Sequence, residues 1–445
     1  MKTIKTSLLI AGFLIIFSGF TGKAQSKTWT LEECINYALA QNVQVKKADL
    51  TNDRNQLYSE QAQANRLPSV NASVRENLNW YKGFDSATGG YGSSNGSNST
   101  NYSLNSSVSL FNGQKLNTRI KQAELDLQSG HFYSESVKES VGLNILNAYL
   151  QVLYANESVI NAEKQIEATT EQLALAKERL DLSVISMSDY LQIKSELASE
   201  KSTLANAQSQ FSMYKVTLMQ LMELPVDANF KISSPNLDSL LIQAGQPNAQ
   251  EIYNLALGIK PQIKNAALNT ESTMLDVKIA KADALPSLSM DAGLSSGYSS
   301  LTTGSGYASQ LQNKINPSIG LSLSIPIFQR KQIKTNVAVA QIAISDAELD
   351  EINTRNQLRK EIEQACANVI SAQSEYAANV EQTQARDESY QVSTEKFKQG
   401  LMNSVDYLFE KTSLITSDSK FLQSKFNLIF SYKVLDFYKG ISLAL

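Results

Sequence analysis

Ser69-Val70-Asn71-Ala72-Ser73-Val74-Arg75-Glu76-Asn77-Leu78-Asn79-Trp80-Tyr81-Lys82 alternates in side-chain character over most of its length. In an extended chain, successive side chains point to opposite sides. Val70, Ala72, Val74, Leu78 and Trp80 therefore share one face, and Asn71, Ser73, Arg75, Asn77 and Asn79 the other. Three more segments repeat the pattern. Tyr102, Leu104, Ser106, Val108 and Leu110 oppose Ser103, Asn105, Ser107 and Ser109; Leu288, Met290, Ala292 and Leu294 oppose Ser289, Asp291 and Gly293; Ile319, Leu321, Leu323 and Ile325 oppose Gly320, Ser322 and Ser324. Strands of about ten residues with one apolar and one small polar face suit a membrane β-barrel with a wet lumen. They are expected at 69–82, 101–111, 287–298 and 317–327. Glu76 interrupts the apolar face and is expected near a rim or at a register shift.

Four strands cannot close such a barrel, whose smallest members have eight. Several copies must each contribute strands, because an open sheet edge in lipid leaves backbone groups unpaired at several kcal/mol each. The competing arrangement, a soluble sheet packed on helices, would bury the apolar face inside the protein. Against it, the Gly-, Ser- and Tyr-rich stretches 83–100 and 299–316 read as long extracellular connections.

The chain is internally duplicated. At an offset of about 218 residues, Ala38-Leu39, Gln44-Val45-Lys46 and Leu67-Pro68-Ser69-Val70 fall on Ala256-Leu257, Gln262-Ile263-Lys264 and Leu285-Pro286-Ser287-Leu288. One residue less brings Asp189-Tyr190-Leu191 onto Asp406-Tyr407-Leu408. The resulting division is a leader at 1–24, a first repeat at 25–230 and a second at 231–445. Each repeat reads helix, strand, loop, strand, very long helix, sharp turn, return helix. The helices are expected at 31–66, 114–181 and 188–222, then at 249–284, 331–398 and 405–439. Ile145, Val152, Val159, Ile166, Leu173 and Leu180 recur every seven residues. Small residues Ala148, Ala155, Ala162, Thr169 and Ala176 follow three positions later, the signature of a coiled-coil seam. Leu197, Leu204, Phe211 and Leu218 form a matching series in the return helix, repeated as Leu414, Phe421, Leu428 and Leu435. A plain helical bundle explains these periodicities equally well; the strands separate the two.

Lys2 and Lys5 precede the apolar run Leu8 to Phe17, and Gly22 and Ala24 follow, which reads as a secretory leader cleaved after Ala24. No later stretch approaches the ~20 apolar residues of a membrane helix, so membrane attachment must come from the β fold. The 40 Lys+Arg against 43 Asp+Glu give no basic surface for nucleic acid. Cys34 and Cys366 lie far apart in helical patterns and imply no disulfide framework.

Three stretches carry a resemblance to the TolC-like outer membrane efflux protein family, over nearly all of the mature chain. They are Gly320-Leu321-Ser322-Leu323-Ser324-Ile325-Pro326-Ile327-Phe328 and the two helix turns Arg179 to Leu191 and Lys396 to Leu408. The resemblance implies a homotrimer with a twelve-stranded barrel in outer membrane lipid and a helical tunnel extending into the periplasm. Segments such as 223–248 and the chain's end would form a belt around that tunnel. It implies an exit duct of a tripartite efflux or type I secretion system, docking an inner-membrane transporter through a periplasmic adaptor protein. The docking tips would be Leu182, Ser183, Val184, Ile185 and Ser186 in one turn, and Gly400, Leu401, Met402, Asn403 and Ser404 in the other.

Asp406 matches the first position of the family's pore-narrowing aspartate ring, and Phe409 stands at the second. Asp189 matches an acidic link partner, while Phe397 and Met402 occupy the positions of the link Tyr and Arg, implying a gate latched by apolar contacts. Read on their own, Asp189 and Asp406 are equally well helix caps or first-turn acids.

His131 is the only histidine, in a polar stretch of the first long helix, so a catalytic triad or a His-based metal site has nothing to build from. No phosphate-binding glycine loop precedes a Lys-Ser or Lys-Thr pair. An enzyme is not expected, nor a cofactor or metal. The alternative from another class is a periplasmic or surface coiled-coil scaffold or adhesin without a channel, which would not need detergent or change its gel mobility on heating.

Overall fold

The structure, a computed structural model, describes residues 28–87, 89–235, 237–241 and 245–445, and the expected leader lies outside them. Strand β1 (Thr28–Trp29) leads into helix α1 (Leu31–Gln41), opened by a capping box. The Thr30 hydroxyl accepts from the Glu33 N–H at 3.2 Å, and the Glu33 carboxylate accepts from the Thr30 N–H at 3.0 Å. A single helix over 31–66 does not form. Asn42 leaves the helical conformation and caps a second helix, α2 (Val43–Ala64), accepting from the Gln44 N–H at 2.8 Å. The second repeat breaks at the same place, where α5 (Ala249–Ile259) gives way to α6 (Pro261–Ala282), with Pro261 at its first position.

Strands β2 (Ser69–Asp85) and β3 (Gly90–Phe111) lead into the 67-residue helix α3 (Lys115–Asp181), which returns as α4 (Met187–Leu221). β4 (Lys231–Ile232) pairs parallel with β1 and is followed by a short 3-10 turn, Asp238–Leu241. After α5 and α6 come β5 (Ser287–Ser299), a short helix α7 (Tyr307–Asn313), β6 (Asn316–Ser324), the 67-residue α8 (Gln332–Lys398) and its return α9 (Ser404–Tyr438). At about 1.5 Å per residue, α3 and α8 are each about 100 Å long.

The four long strands form one antiparallel sheet in the order β2-β3-β5-β6. Register keeps the alternation in phase. Val74 faces Tyr102, Leu104 faces Leu294 and Met290 faces Leu321, so one side is largely apolar, interrupted by Glu76 and Thr100, and the other carries Asn and Ser. The apolar side chains are exposed, Ile319 at 81% and Leu321 at 68%, as a lipid-facing surface requires. Two connections differ from expectation. Most of 83–100 is strand, because β2 and β3 continue as a two-stranded ribbon past a bulge between Lys82 and Phe84. The stretch 299–316 holds α7, fixed by Gln310, whose amide bonds both backbone groups of Ser299. Glu76 is at no register shift; it lies in register with Thr100, whose hydroxyl donates to its carboxylate.

Below the sheet the helices form a curved wall. Beside the strands the order is α2-α3-α6-α8, and at the far end α4-α3-α9-α8. Ala148, Ala155, Ala162, Thr169 and Ala176 are buried, whereas Val159, Ile166, Leu173 and Leu180 are half-buried, so the small residues set the close approach of neighbouring helices. Cys34 and Cys366 are buried and form no disulfide. Where α1, α3 and α4 meet β1 and β4, the core gathers around Cys34, Ile145, Val152 and Met222. There the Tyr149 hydroxyl donates to the Ser233 carbonyl at 2.7 Å, joining the long helix to the segment after β4.

Leu321 and Ser322 are neighbours on opposite sides of β6. A cationic side chain facing lipid near mid-bilayer costs about 2–4 kcal/mol. Leu321→Arg should therefore lower the yield of membrane-assembled protein well below that of Ser322→Arg, measured in outer-membrane fractions; equal yields would reverse the face assignment.

Candidate functional site

The two helix turns at the far end are built on one plan with different residues. In the first, the Ser183 N–H donates to the Leu180 carbonyl at 2.9 Å and the Val184 N–H to the Arg179 carbonyl at 2.8 Å. In the second, the Gly400 N–H donates to Phe397 at 3.1 Å and the Leu401 N–H to Lys396 at 2.9 Å. This pair of bonds needs a left-handed residue at the helix end. Gly400 supplies it freely at φ 73°, and Ser183 adopts φ 59° despite its Cβ.

The return helices are capped alike, yet their acids have different surroundings. Ser186 and Asp189 form a reciprocal capping box, with N–H to oxygen distances of 3.1 and 3.2 Å. The Ser186 hydroxyl also donates to Asp189 at 2.6 Å, and the Ser404 hydroxyl donates to the other carboxylate oxygen. Hydrogen bonds from Ser186, then Ser404, hold the Asp189 carboxyl below its ordinary pKa. Its capping role is thus explicit, and it ties α4 to the start of α9. Asn403 caps α9, accepting from the Asp406 N–H at 2.8 Å and donating to the Asp406 carboxylate at 2.9 Å. Asp406 has no cross-hairpin counterpart to Ser404, and stays exposed.

Four polar contacts join the first hairpin to the second on the tip side, and of their members the sequence reading singles out as site residues Ser404 and Asp189 in one and Phe397 in another. Ser404, expected at a docking surface, is 1% exposed and bonds Asp189 and Gln192. Arg179 donates to the last carbonyls of α8, reaching Phe397 at 2.9 Å and also Lys398, where the negative end of the helix dipole favours a cation. Gln172 donates to the Tyr390 hydroxyl at 2.9 Å, which lies 2.7 Å from the hydroxyl of fully buried Tyr407. Burial foremost raises the pKa of the Tyr407 phenol, keeping it neutral. Deepest lies Lys411, 2.6 Å from Glu200, with Thr169 bonded to both; all three are at most 5% exposed.

Phe397 stacks on Tyr407 with ring centroids 4.6 Å apart, so it packs within the chain. Polar contacts of Arg179, Gln172 and Tyr390 thus stand beside the Phe397–Tyr407 ring stack. Met402 and Ile185 are half-buried. Leu182, Val184, Leu401, Val405 and Phe409 are exposed at 58% or more, leaving an apolar rim on the tips. Ser183, Ser186, Gly400 and Asn403 are exposed between them. No group of three or more His, Cys, Asp or Glu suited to a metal ion occurs among the described residues.

The family model described as "Outer membrane efflux protein" matches residues 34–223 and 252–428. A relative in Aggregatibacter actinomycetemcomitans, "Toxin and drug export protein A", is 22% identical over 409 residues, 90% of this chain and 83% of that protein. "Outer membrane protein TolC" of Escherichia coli is 22% identical over 351 residues, 76% of this chain and 69% of that protein. Among solved structures, the Campylobacter jejuni CmeC outer membrane channel superposes with a TM-score of 0.77 at 18% identity, covering 92% of this chain and 85% of that one. VceC of Vibrio cholerae gives 0.74 at 19% identity, over 93% and 96%.

Removing one partner of a buried ion pair strands the other charge, at about 3–5 kcal/mol. Glu200→Ala should lower the thermal transition of the detergent-solubilised protein markedly. Glu200→Leu with Lys411→Met, which leaves no stranded charge, should recover most of the loss. If the single and the double variant melt together, the pair does not couple the hairpins.

Proposed function

Because the chain belongs to the outer membrane efflux protein family, we propose that it is the exit duct of a tripartite efflux or type I secretion system, conducting solutes passively as a homotrimer. It is a bacterial outer-membrane protein that extends into the periplasm. The observation carrying the proposal is that every layer ends on open edges. The sheet ends at β2 and β6, the upper helix layer at α2 and α8, and the lower at α4 and α8. Large apolar side chains stand exposed along these edges, among them Leu50 and Leu57 on α2, and Ile342 and Leu349 on α8. In lipid the edge strands need partners, and three copies supply twelve strands and close the helix wall in the same step.

Among the described residues no helix is long and apolar enough to cross a membrane, so spanning falls to the strands. Energy comes from a partner, and the apolar rim of the tips is the surface for a periplasmic adaptor. Three copies of Asp406 would face one another around the threefold axis, where like charges repel and a cation bridges them. Asp189 has no such role, being committed to Ser186 and Ser404. The four contacts between hairpins hold the tips closed.

Cross-linking of the detergent-extracted protein should yield trimers; monomers or dimers alone would overturn the oligomer. In planar bilayers Asp406→Asn should weaken block by multivalent cations several-fold, and Asp189→Asn should not. Phe397→Ala and Arg179→Ala should raise open probability and leave cation block as it is. Unchanged block in a folded Asp406→Asn channel would make Asp406 a first-turn helix acid and nothing more.

A further inference from the structure

The ribbon at the top of β2 and β3 outgrows the rest of the sheet. β5 accompanies β3 only as far as Ser99, and β6 ends its pairing with β5 at Ser295, whereas β2 and β3 stay paired to Asp85 and Gly90. This end lies opposite the helices, hence outside the cell. From Val70 to Trp80 is about 33 Å along the strand at 3.3 Å per residue. At a tilt near 45° that is about 23 Å of height, close to the ~25 Å apolar band of an outer-membrane barrel. Trp80 thus stands at the upper rim, and Phe84 about 9 Å above it.

The lipid-facing side continues into the ribbon. Trp80 and Phe84 share the parity of Val70, Val74 and Leu78. The bulge places its extra residue in β3, so that Phe84 and Tyr91 become register partners with rings 5.5 Å apart, edge to face. Opposite Trp80 stands Gly96, where an added Cβ would come within 3.3 Å of the indole nitrogen, so the indole lies close over the ribbon there. Trp80, Phe84 and Tyr91 are 71%, 62% and 75% exposed, on a ribbon otherwise made largely of Gly, Ser and Asn.

Two constraints fix the surroundings. Above Asn98, whose backbone groups still bond Ser300, no other strand pairs with the ribbon among the described residues, and bare backbone there excludes acyl chains. A two-stranded ribbon presenting three bare rings to water is marginal. What satisfies both is a layer rich in hydroxyl groups that also offers C–H faces to aromatic rings, whose π surfaces carry negative potential. We propose that Trp80, Phe84 and Tyr91 form a docking stripe for the saccharide head groups of the outer-leaflet glycolipid, continuous with the lipid-facing surface of the barrel. The stripe rests on outer-membrane placement and requires neither the gate nor the adaptor.

The chain has two tryptophans, so Trp29→Phe leaves Trp80 as the sole reporter. The full mature protein carrying that change is reconstituted into phosphatidylethanolamine/phosphatidylglycerol vesicles, alone or with lipopolysaccharide bearing a complete core oligosaccharide. Core saccharide should cut iodide quenching of Trp80 at least threefold and shift its emission to the blue. A Phe84→Ser/Tyr91→Ser variant should lose most of that protection and retain several-fold less glycolipid through detergent extraction. Tyr81→Ser, on the other face, should match the parent in both, and all variants should keep parental single-channel conductance. Equal quenching with and without glycolipid would mean a ribbon bare in water. Full shielding already in phospholipid would mean a ribbon packed on protein. Either result overturns the proposal, while unchanged conductance keeps it separate from the channel reading.

Discussion

An unpaired peptide group in hydrocarbon is the constraint on which the rest of the molecule depends. Four strands with one apolar face leave two bare edges, β2 and β6. Connectivity ties those edges to the helices. β2 follows α2 after four residues, and β6 precedes α8 after seven, so the chain segments that bound the sheet also bound the upper helix wall. Whatever pairs the strands brings the same flanks of helix together. In the proposed trimer, the apolar side chains exposed on α2 and α8 and the strand edges would therefore form one interface.

Duplication supplies this architecture cheaply, and the tips show how two equal copies acquire unequal roles. Both turns use the same backbone bonds, and both return helices carry a cap followed by an aspartate three residues on. The difference comes from packing. The two hairpins lie side by side, so each presents a different flank to the other. Ser404 of the second reaches Asp189 of the first, and no equivalent partner reaches Asp406. One aspartate becomes a structural acceptor with a lowered pKa, and its duplicate stays in solvent.

Much of this architecture was legible in the sequence because it is periodic. Alternation over Val70 to Trp80 and heptads over Ile145 to Leu180 are local signals with steric causes, and they indicated strand faces and helix hairpins. Asn42 was readable as a cap in principle, but it sits inside a long polar-apolar pattern that hides a one-residue break. Lys260-Pro261 is a plainer signal for the matching break, since proline suits the first position of a helix. The junction was much harder to read. Arg179 meets Phe397 and Lys411 meets Glu200 across more than 200 residues, through side chains that look like surface charges. Only the three-dimensional adjacency of α3 to α8, and of α4 to α9, reveals them as capping or buried groups. The ribbon was mistaken for loop because Gly, Ser and Asn are poor strand formers; cross-strand pairing overrides that preference here.

The chemistry of the four junction contacts grades them by the cost of separation. Ser404 with Asp189 and Arg179 with the α8 carbonyls lie at the tips, where water can replace each lost hydrogen bond and a bond to a charged group contributes about 1.5–3 kcal/mol. Gln172 with Tyr390 lies further in, where the Tyr390 hydroxyl also meets that of fully buried Tyr407. Lys411 with Glu200 is buried, and pulling it apart without solvent strands two charges. A motion that spreads the tips therefore spends least by releasing the outer contacts first and pivoting on the buried pair. Glu200 is 13 positions into α4 from Met187, about 20 Å at 1.5 Å per residue. In the proposed channel, the part free to open is thus the last three or four turns of each hairpin, the stretch that carries both Asp406 and the apolar rim.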